Sequence, residues 1–414
     1  MKIAIIGSGI SGLTCGYLLH QDHQITLFEA NDYIGGHTHT VDVMRHGHTW
    51  PVDTGFIVFN DRTYPLFLTL LKQLNIPPQP TEMSFSVRNL LTGLEYNGHD
   101  LNTLFAQRSN LFRPSFYRLI SEILRFNRLT KTDLANSTIS QEQTLGEYLS
   151  QHHFSDDFCE HYILPMGAAI WSASLADMRQ FPVCFFLRFF NNHGLLSIAN
   201  RPQWYVIPGG SREYIAPLTE HWRDQIHLSE PVGKVQRFSD RVDIQTQQAG
   251  YQFDAVIFAC HSDQALSLLA DPSGAERDIL GAIGYRGNQV TLHNDVSLLP
   301  KAQLAHASWN YLLDDDQAVP AIVTYDMNRL QSLIAPERFC VTLNTDRMSP
   351  GSVIQQFKYS HPVYTQSAIA AQQLRASICG QNRTHFCGAY WYNGFHEDGV
   401  RSANDVCKRF GTTL

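Results

Sequence analysis

Three glycines and one acid are the first residues of this chain whose types and spacing could do chemistry. Gly7, Gly9 and Gly12 stand in Gly7-Ser8-Gly9-Ile10-Ser11-Gly12, directly behind the run Lys2 to Ile6, and Glu29 closes a second apolar run, Ile25 to Phe28. The first run reads as a short buried parallel strand, and Ile10 to His20 has the spacing of a helix packed on it. In that setting Gly7 permits a tight turn, Gly9 lets a pyrophosphate approach the backbone, and Gly12 lets helix and strand touch. The helix N-terminus offers free N–H groups and a partial positive charge to phosphate oxygens. A carboxylate at the tip of the next strand can accept from both hydroxyls of an unphosphorylated ribose. The ordered set predicts a dinucleotide of the FAD or NAD type rather than NADP.

The elements that must position these residues belong to a large chain. Its 414 residues exceed one ordinary core and predict two domains. Apolar residues make up 43% and charged residues 17%, the profile of a globular protein with a sizeable interior. A formal net charge of −7 argues against nucleic acid as a partner. The eight cysteines, from Cys15 to Cys407, are scattered with no CxxC pair, which predicts reduced thiols and a cytoplasmic location. No signal peptide and no apolar run long enough for a bilayer is legible. No second GxGxxG, nucleophile signature or HExxH spacing occurs, and His37, His39, His46 and His48 lie in a strand–turn region, so no metal is expected.

Further motifs carry a resemblance. Glu29 is followed by Gly35-Gly36-His37, Thr40, Asp53-Thr54-Gly55 and a helical stretch from Tyr64 to Leu74. Near the other end, "THFCGAYWYNGFHEDGVRSANDVCKRF" places Gly388 after a strand, Gly394 at a turn, and Glu397 to Val400 at a helix start. Between them, "WYVIPGGSREYIAPL" supplies a PGG element. In this order the motifs resemble the flavin amine oxidase superfamily, which also holds protoporphyrinogen oxidases and carotenoid-type desaturases. "GFHEDG" with "HPVY" before it is similar to the bacterial FAD/NAD-binding proteins of amine-oxidase type. The departure is His37, where the family usually has arginine; an imidazole is no permanent charge, so pyrophosphate binding is expected to be weaker or pH-dependent.

The resemblance implies an α/β fold: a Rossmann-like FAD-binding domain of the glutathione-reductase type, interleaved with an α+β substrate domain. Residues 1–75, 203–268 and 380–414 would form the first, and 76–202 and 269–379 the second. It implies non-covalent FAD, since Cys387 does not occupy the family's linkage position. The implied cofactor contacts are Gly7, Gly9, Ser11, Gly12, Glu29, Ala30, Gly35, Gly36, His37, Thr40, Gly55, Phe56, Val235, Gly388, Glu397, Gly399 and Val400. An aromatic pair beside the flavin ring is implied, with Phe395 in the first place, Tyr359 or Tyr364 in the second with His361 between them, and Trp391 and Tyr392 as caps.

The implied activity is an FAD-dependent oxidoreductase that removes a hydride from a C–N or C–C bond of a small organic substrate. The alternatives are a desaturase or isomerase acting on a lipid acyl or isoprenoid chain at a membrane surface, and a non-catalytic FAD-binding partner protein. Two segments bear on the lipid alternative. Residues 105–131 carry Arg108, Arg113, Arg118, Arg125, Arg128 and Lys131 against Glu122, with Phe112, Phe116, Leu119, Ile120, Ile123 and Phe126 at helical spacing. This is either a solvated substrate-domain helix or a peripheral membrane contact. "FPVCFFLRFF", Phe181 to Phe190, is either core or the lining of an apolar channel.

Overall fold

In the computed structural model, which describes residues 1–197, 199–314, 320 and 322–414, the strand Lys2–Ile6 is the middle of a five-stranded parallel sheet. Both faces of that sheet are covered, which is why Ile3 to Ile6 run apolar without alternation and are all buried. Gln24–Phe28 lies on one side and Ala255–Phe258 on the other, with Ile226–His227 and Thr384–Phe386 at the edges. Ile3 is level with both Ile25 and Ala255, so Gly7, Glu29 and Ala259 emerge together at the C-terminal edge. Ligands of open parallel sheets bind at that edge. A hairpin forms as Val232–Arg237 and Val242–Thr246, and Gly250–Phe253 completes a meander. Val235, Ile244 and Phe253 pack it against Phe28.

A seven-stranded mixed sheet is built from two distant stretches, 85–97 and 284–363. They join where Phe85–Asn89 runs parallel to Trp309–Leu313. The long edge strand Val353–Val363 pairs antiparallel with Gly284–His293, setting Asn288 opposite Tyr359 and Arg286 opposite His361. Helices between residues 101 and 192 share one core with this sheet.

Within them, the apolar stripe of 105–131 belongs to the helix Pro114–Asn136. Phe116, Leu119 and Phe126 are buried, and Ile120 and Ile123 pack beside them. That face is taken up by the core and cannot lie on a membrane. Phe112 departs from the stripe: it stands in a 3-10 turn, Arg108–Phe112, ahead of the helix and is 87% exposed. The Phe-rich run becomes the helix Val183–Asn192, with Phe186, Leu187, Phe189 and Phe190 buried. Among the described residues no helix is long and apolar enough to cross a membrane.

Candidate functional site

The first turn is fixed by sterics. Gly7 sits at φ +104°, and a Cβ there would lie 3.1 Å from the Ala259 carbonyl oxygen. A Cβ on Gly12 would lie 2.0 Å from the Gly7 carbonyl oxygen, so only glycine lets the helix Ile10–Leu19 rest on the turn. Gly9 is different. Nothing lies within 4 Å of a Cβ built on it, and it begins the helix without a side-chain cap. Open space thus faces a helix start, whose first N–H groups have no partner within the helix, a cradle suited to phosphate.

Glu29 closes the other side of the cradle. Its Oε2 accepts from the Ser8 N–H at 2.8 Å and the Ser8 hydroxyl at 2.6 Å, and its Oε1 accepts from the Asn31 N–H at 2.8 Å. Three donors hold the carboxylate still, and about four lone-pair sites leave one for a ribose hydroxyl. Ala30 follows on the surface. The Ser8 hydroxyl also accepts from the Gly35 N–H at 3.2 Å, and Gly36, at φ +59°, would bring a Cβ to 3.1 Å from the Gly9 Cα. The second glycine pair is therefore clamped on the first turn.

His37 comes next, with a buried Nε2 that has no partner. Burial, then the neighbouring His361 and His261, lower its pKa to about 3. Without a ligand, burial therefore favours the neutral imidazole. Its ring centroid is 5.2 Å from that of Tyr359 and 5.4 Å from that of His361. The Tyr359 hydroxyl lies 2.9 Å from both His39 Nδ1 and Thr54 Oγ1, and burial keeps it protonated. The Asn288 side-chain amide donates to His361 Nδ1 at 3.1 Å, which assigns the His361 proton to Nε2. Burial lowers His361 to about 4. This end of the site is polar and uncharged.

The closing segment adds a third wall. Gly388 and Gly394 have φ of +153° and +93°, and side chains there would strike the Tyr390 ring and the Tyr364 hydroxyl at 2.3 and 2.5 Å. The helix His396–Cys407 then begins, one residue earlier than expected. Phe395 stacks on Phe189 at 5.0 Å, joining this loop to the helix Val183–Asn192. His396 Nε2 meets the Tyr214 hydroxyl at 2.9 Å and Thr38 Oγ1 at 3.1 Å, and those two hydroxyls bond each other. Phe56 lies flat on the His396 ring, centroids 3.5 Å apart.

Several expected contacts have other occupations. The Glu397 carboxylate accepts from the Leu66 and Phe67 N–H groups at 3.0 and 2.8 Å, capping the helix Pro65–Gln73 and leaving only its backbone for a ligand. Ser11 donates to the Gly399 carbonyl at 3.1 Å, and a Cβ on Gly399 would lie 2.6 Å from Ile10, so with buried Val400 these residues join two helices. Thr40 donates to Asp53 Oδ1 at 2.6 Å and accepts from the Arg212 N–H at 3.1 Å. A Cβ on Gly55 would lie 2.2 Å from the His37 carbonyl, so Gly55 seats the loop. Val235 is core, and its carbonyl accepts from the Ala270 N–H at 2.9 Å. Trp391 is corrected from cap to core: it is 2% exposed, with the Arg375 guanidinium 5.5 Å above its ring.

The structure also brings in residues that sequence reasoning missed. Asp53 accepts from the Ser211 N–H and hydroxyl, both at 2.8 Å, tying the Thr40–Asp53 hairpin to the PGG loop; burial lifts its pKa to about 6. Ser8, Thr38, Tyr214, Asn288 and His396 join the site in the same unforeseen way. Ser8 and Asp53 stand within motifs whose glycines are legible, and a polar Asn288 within the strand Gly284–His293 is a further local signal.

Comparison with known proteins bears on the family and the fold. A family model described as flavin containing amine oxidoreductase matches residues 10–292. The chain is similar in structure to cyclohexylamine oxidase from Brevibacterium oxydans IH-35A, with a TM-score of 0.71, 14% identity and 99% of each chain covered. It is similar to a CLA-producing fatty acid isomerase from P. acnes, with a TM-score of 0.70 and 15% identity over 99% of this chain and 98% of that one. A protein described as a protoporphyrinogen oxidase, from Exiguobacterium sp. 255-15, gives 0.68 and 17% over 99% and 98%. At these identities the likeness is one of fold.

Proposed function

The chain belongs to the flavin-containing amine oxidoreductase family, and from that premise we propose that it binds FAD non-covalently and oxidises a small organic substrate at a C–N or C–C bond. The open cradle at Gly9 facing the fixed Glu29 carries the cofactor assignment. The residues present fit the group. Gly9 leaves room for a diphosphate at a helix start that has no side-chain cap, Glu29 keeps an acceptor for ribose, and the buried Nε2 of His37 lacks a partner that a ligand would supply. Cys387 is fully buried in the core, which supports a non-covalent attachment. All eight cysteines are unpaired, which supports a reducing, cytoplasmic setting.

When bound, a flavin supplies a two-electron acceptor for the hydride leaving the substrate carbon. The chain's own residues bind, orient and exclude water. The cofactor domain is assigned to 1–75, 203–268 and 380–414, and the substrate domain to 76–202 and 269–379. Tyr359 and Phe395 are assigned as walls of the substrate space. His37 and His361 are neutral and Tyr359 is protonated, so this end offers hydrogen bonds without a strong base. Hydride transfer needs alignment and a dry site more than a base, so the arrangement suits it.

One observation favours a second reading, a lipid acyl or isoprenoid chain as substrate. Phe189 stacks on Phe395 and packs 4.9 Å from Trp171, an aromatic run beside the proposed wall. The likeness to a fatty acid isomerase supports the same reading. The test has two stages. Acid precipitation of the purified protein should leave FAD in the supernatant; colour retained in the pellet would refute the non-covalent attachment, and bound NAD without flavin would refute the cofactor. Anaerobic bleaching by aqueous against solvent extracts then separates an amine from a lipid. NADH and NADPH should bleach far more slowly, because the single GxGxxG turn is committed to FAD.

A further inference from the structure

The turn between Phe85–Asn89 and Glu95–Asn97, the short helix Leu101–Leu104 and the 3-10 turn Arg108–Phe112 form one corner of the molecule. Hydrogen bonds hold it together. Gln107 Nε2 donates to the Gly93 carbonyl at 2.7 Å, Arg108 Nη2 donates to Asn102 Oδ1 at 2.6 Å, and the Tyr117 hydroxyl donates to the Leu111 carbonyl at 3.0 Å. The Glu95 carboxylate accepts from the Lys301 and Ala302 N–H groups at 2.9 and 2.8 Å, which brings the turn at Leu304 alongside. From this ordered frame Phe112 is 87% exposed, Leu101 76% and Leu91 62%, with Leu111, Tyr117 and Leu304 exposed around them. A frame fixed this well that still leaves a phenylalanine and several leucines in water marks an interaction surface.

Charge narrows the partner. From residue 98 to 118 the chain carries Arg108, Arg113 and Arg118, all exposed, against Asp100 alone. A second copy docked across a two-fold axis would face these arginines with arginines. Exposed apolar side chains with exposed arginines in the same segment suit an anionic lipid surface, where the rings and leucines enter the headgroup–acyl boundary and the arginines meet phosphate. We propose that this corner docks the protein on anionic bilayers. The docking is independent of the flavin reading and uses different residues from the buried helix face of 114–136.

The test is co-sedimentation of the purified, flavin-containing protein with vesicles of phosphatidylcholine alone or with about 30% phosphatidylglycerol, at low and high salt. Binding is expected on the anionic vesicles and weaker at high salt. The Leu101→Asp/Phe112→Asp chain should partition at least about tenfold less, and Arg113→Ala/Arg118→Ala about tenfold less. Both should keep wild-type flavin content, since none of the four side chains is buried. Wild-type protein that stays in the supernatant with anionic vesicles overturns the proposal. So does binding that both variants retain, or a solution dimer that the Leu101→Asp/Phe112→Asp chain loses. Flavin content is read in the same samples, so failure here stays distinct from failure of the cofactor assignment.

Discussion

The two ends of the candidate site are built in opposite ways. At one end, Gly7, Ser8, Gly9, Gly12 and Glu29 fall within a single stretch of chain, and backbone sterics dictate their types. At the other, His37, Thr54, Asn288, Tyr359, His361 and His396 arrive from segments separated by up to several hundred residues and meet only through the tertiary fold. The first end is a shape that few residues satisfy. The second is a network of neutral side chains in which partners overlap: His39 Nδ1, for example, has both Thr54 Oγ1 and the Tyr359 hydroxyl within reach. Substitutions at the first end should therefore be severe and specific, and those at the second milder and partly compensated.

The largest contrast lies within the turn itself. Gly12→Ala would force a Cβ to 2.0 Å from a carbonyl oxygen that belongs to the same tight turn and has nowhere to go. We expect a loss of about 3 kcal/mol or more in stability, with little soluble, flavin-loaded protein. Gly9→Ala meets nothing within 4 Å. It should unfold at nearly the wild-type temperature while retaining far less FAD, because its methyl enters the cradle. Thermal unfolding and flavin content of the two variants check this. Equal stability losses would show that Gly9 supports the fold and does not face a ligand.

Next in size is Glu29→Ala. Losing a charge-assisted bond to ribose should cost roughly 1.5–3 kcal/mol of FAD binding, about one to two orders of magnitude. Glu29→Gln should cost less, because one carboxamide oxygen still accepts from Ser8 or Asn31. Equal FAD retention by Glu29→Ala and wild type after dialysis would remove Glu29 as the ribose ligand.

The same division decides how much of the molecule is legible in its sequence. Strand, glycine turn, helix and acid are local, so periodicity and steric roles are enough to place Gly7, Gly9, Gly12 and Glu29. Glu397 is legible as a helix-start acid, yet its carboxylate caps a different helix, at Leu66 and Phe67, which local sequence cannot show. Trp391 sits between two glycines where a cap would be reasonable; only the packing of Arg375 on its ring reveals a core residue. Asn288 and His361 become neighbours through the antiparallel pairing of two long strands, and no pattern within either strand fixes that pairing. Phe112 breaks the helical stripe to which its spacing assigns it, because Pro114 starts the helix two residues later.

The far end also carries titratable groups that should shape stability against pH. Burial lifts Asp398 to about 7, well above an ordinary carboxyl near 4. A raised native pKa contributes stability that is complete below about pH 4 and is lost as pH rises through 7. His37, at about 3, and His361, at about 4, are lowered from about 6.5. Their contribution is complete above about pH 6.5 and is lost as pH falls through those values. The two trends therefore oppose each other between about pH 4 and 6.5. Asp398→Asn keeps an acceptor for the Phe395 N–H and removes a titration, so relative to wild type it should gain roughly 1–2 kcal/mol between pH 5 and 8. Melting curves across that range decide it, and an unchanged slope would mean that Asp398 is ionised throughout.

The smallest expected effect is the sharpest test of the contrast. Tyr359→Phe removes a hydroxyl placed 2.9 Å from His39 Nδ1 and from Thr54 Oγ1. Thr54 Oγ1 can still donate to the His39 carbonyl at 3.2 Å, and it lies 3.0 Å from His39 Nδ1, so each partner keeps one bond. The ring stays against His37 and Phe357, and no cavity larger than one oxygen opens. The cost should be about 0.5–1.5 kcal/mol of stability, with FAD affinity within about twofold of wild type. Turnover should change more than affinity, because Tyr359 is proposed to face the substrate space and not the diphosphate. Titration of the flavin-free protein with FAD, run beside steady-state rates once a substrate is found, separates the two. If Tyr359→Phe instead lost FAD as Glu29→Ala is expected to, the two ends would form one cooperative unit, and the tolerance assigned to the second would be wrong.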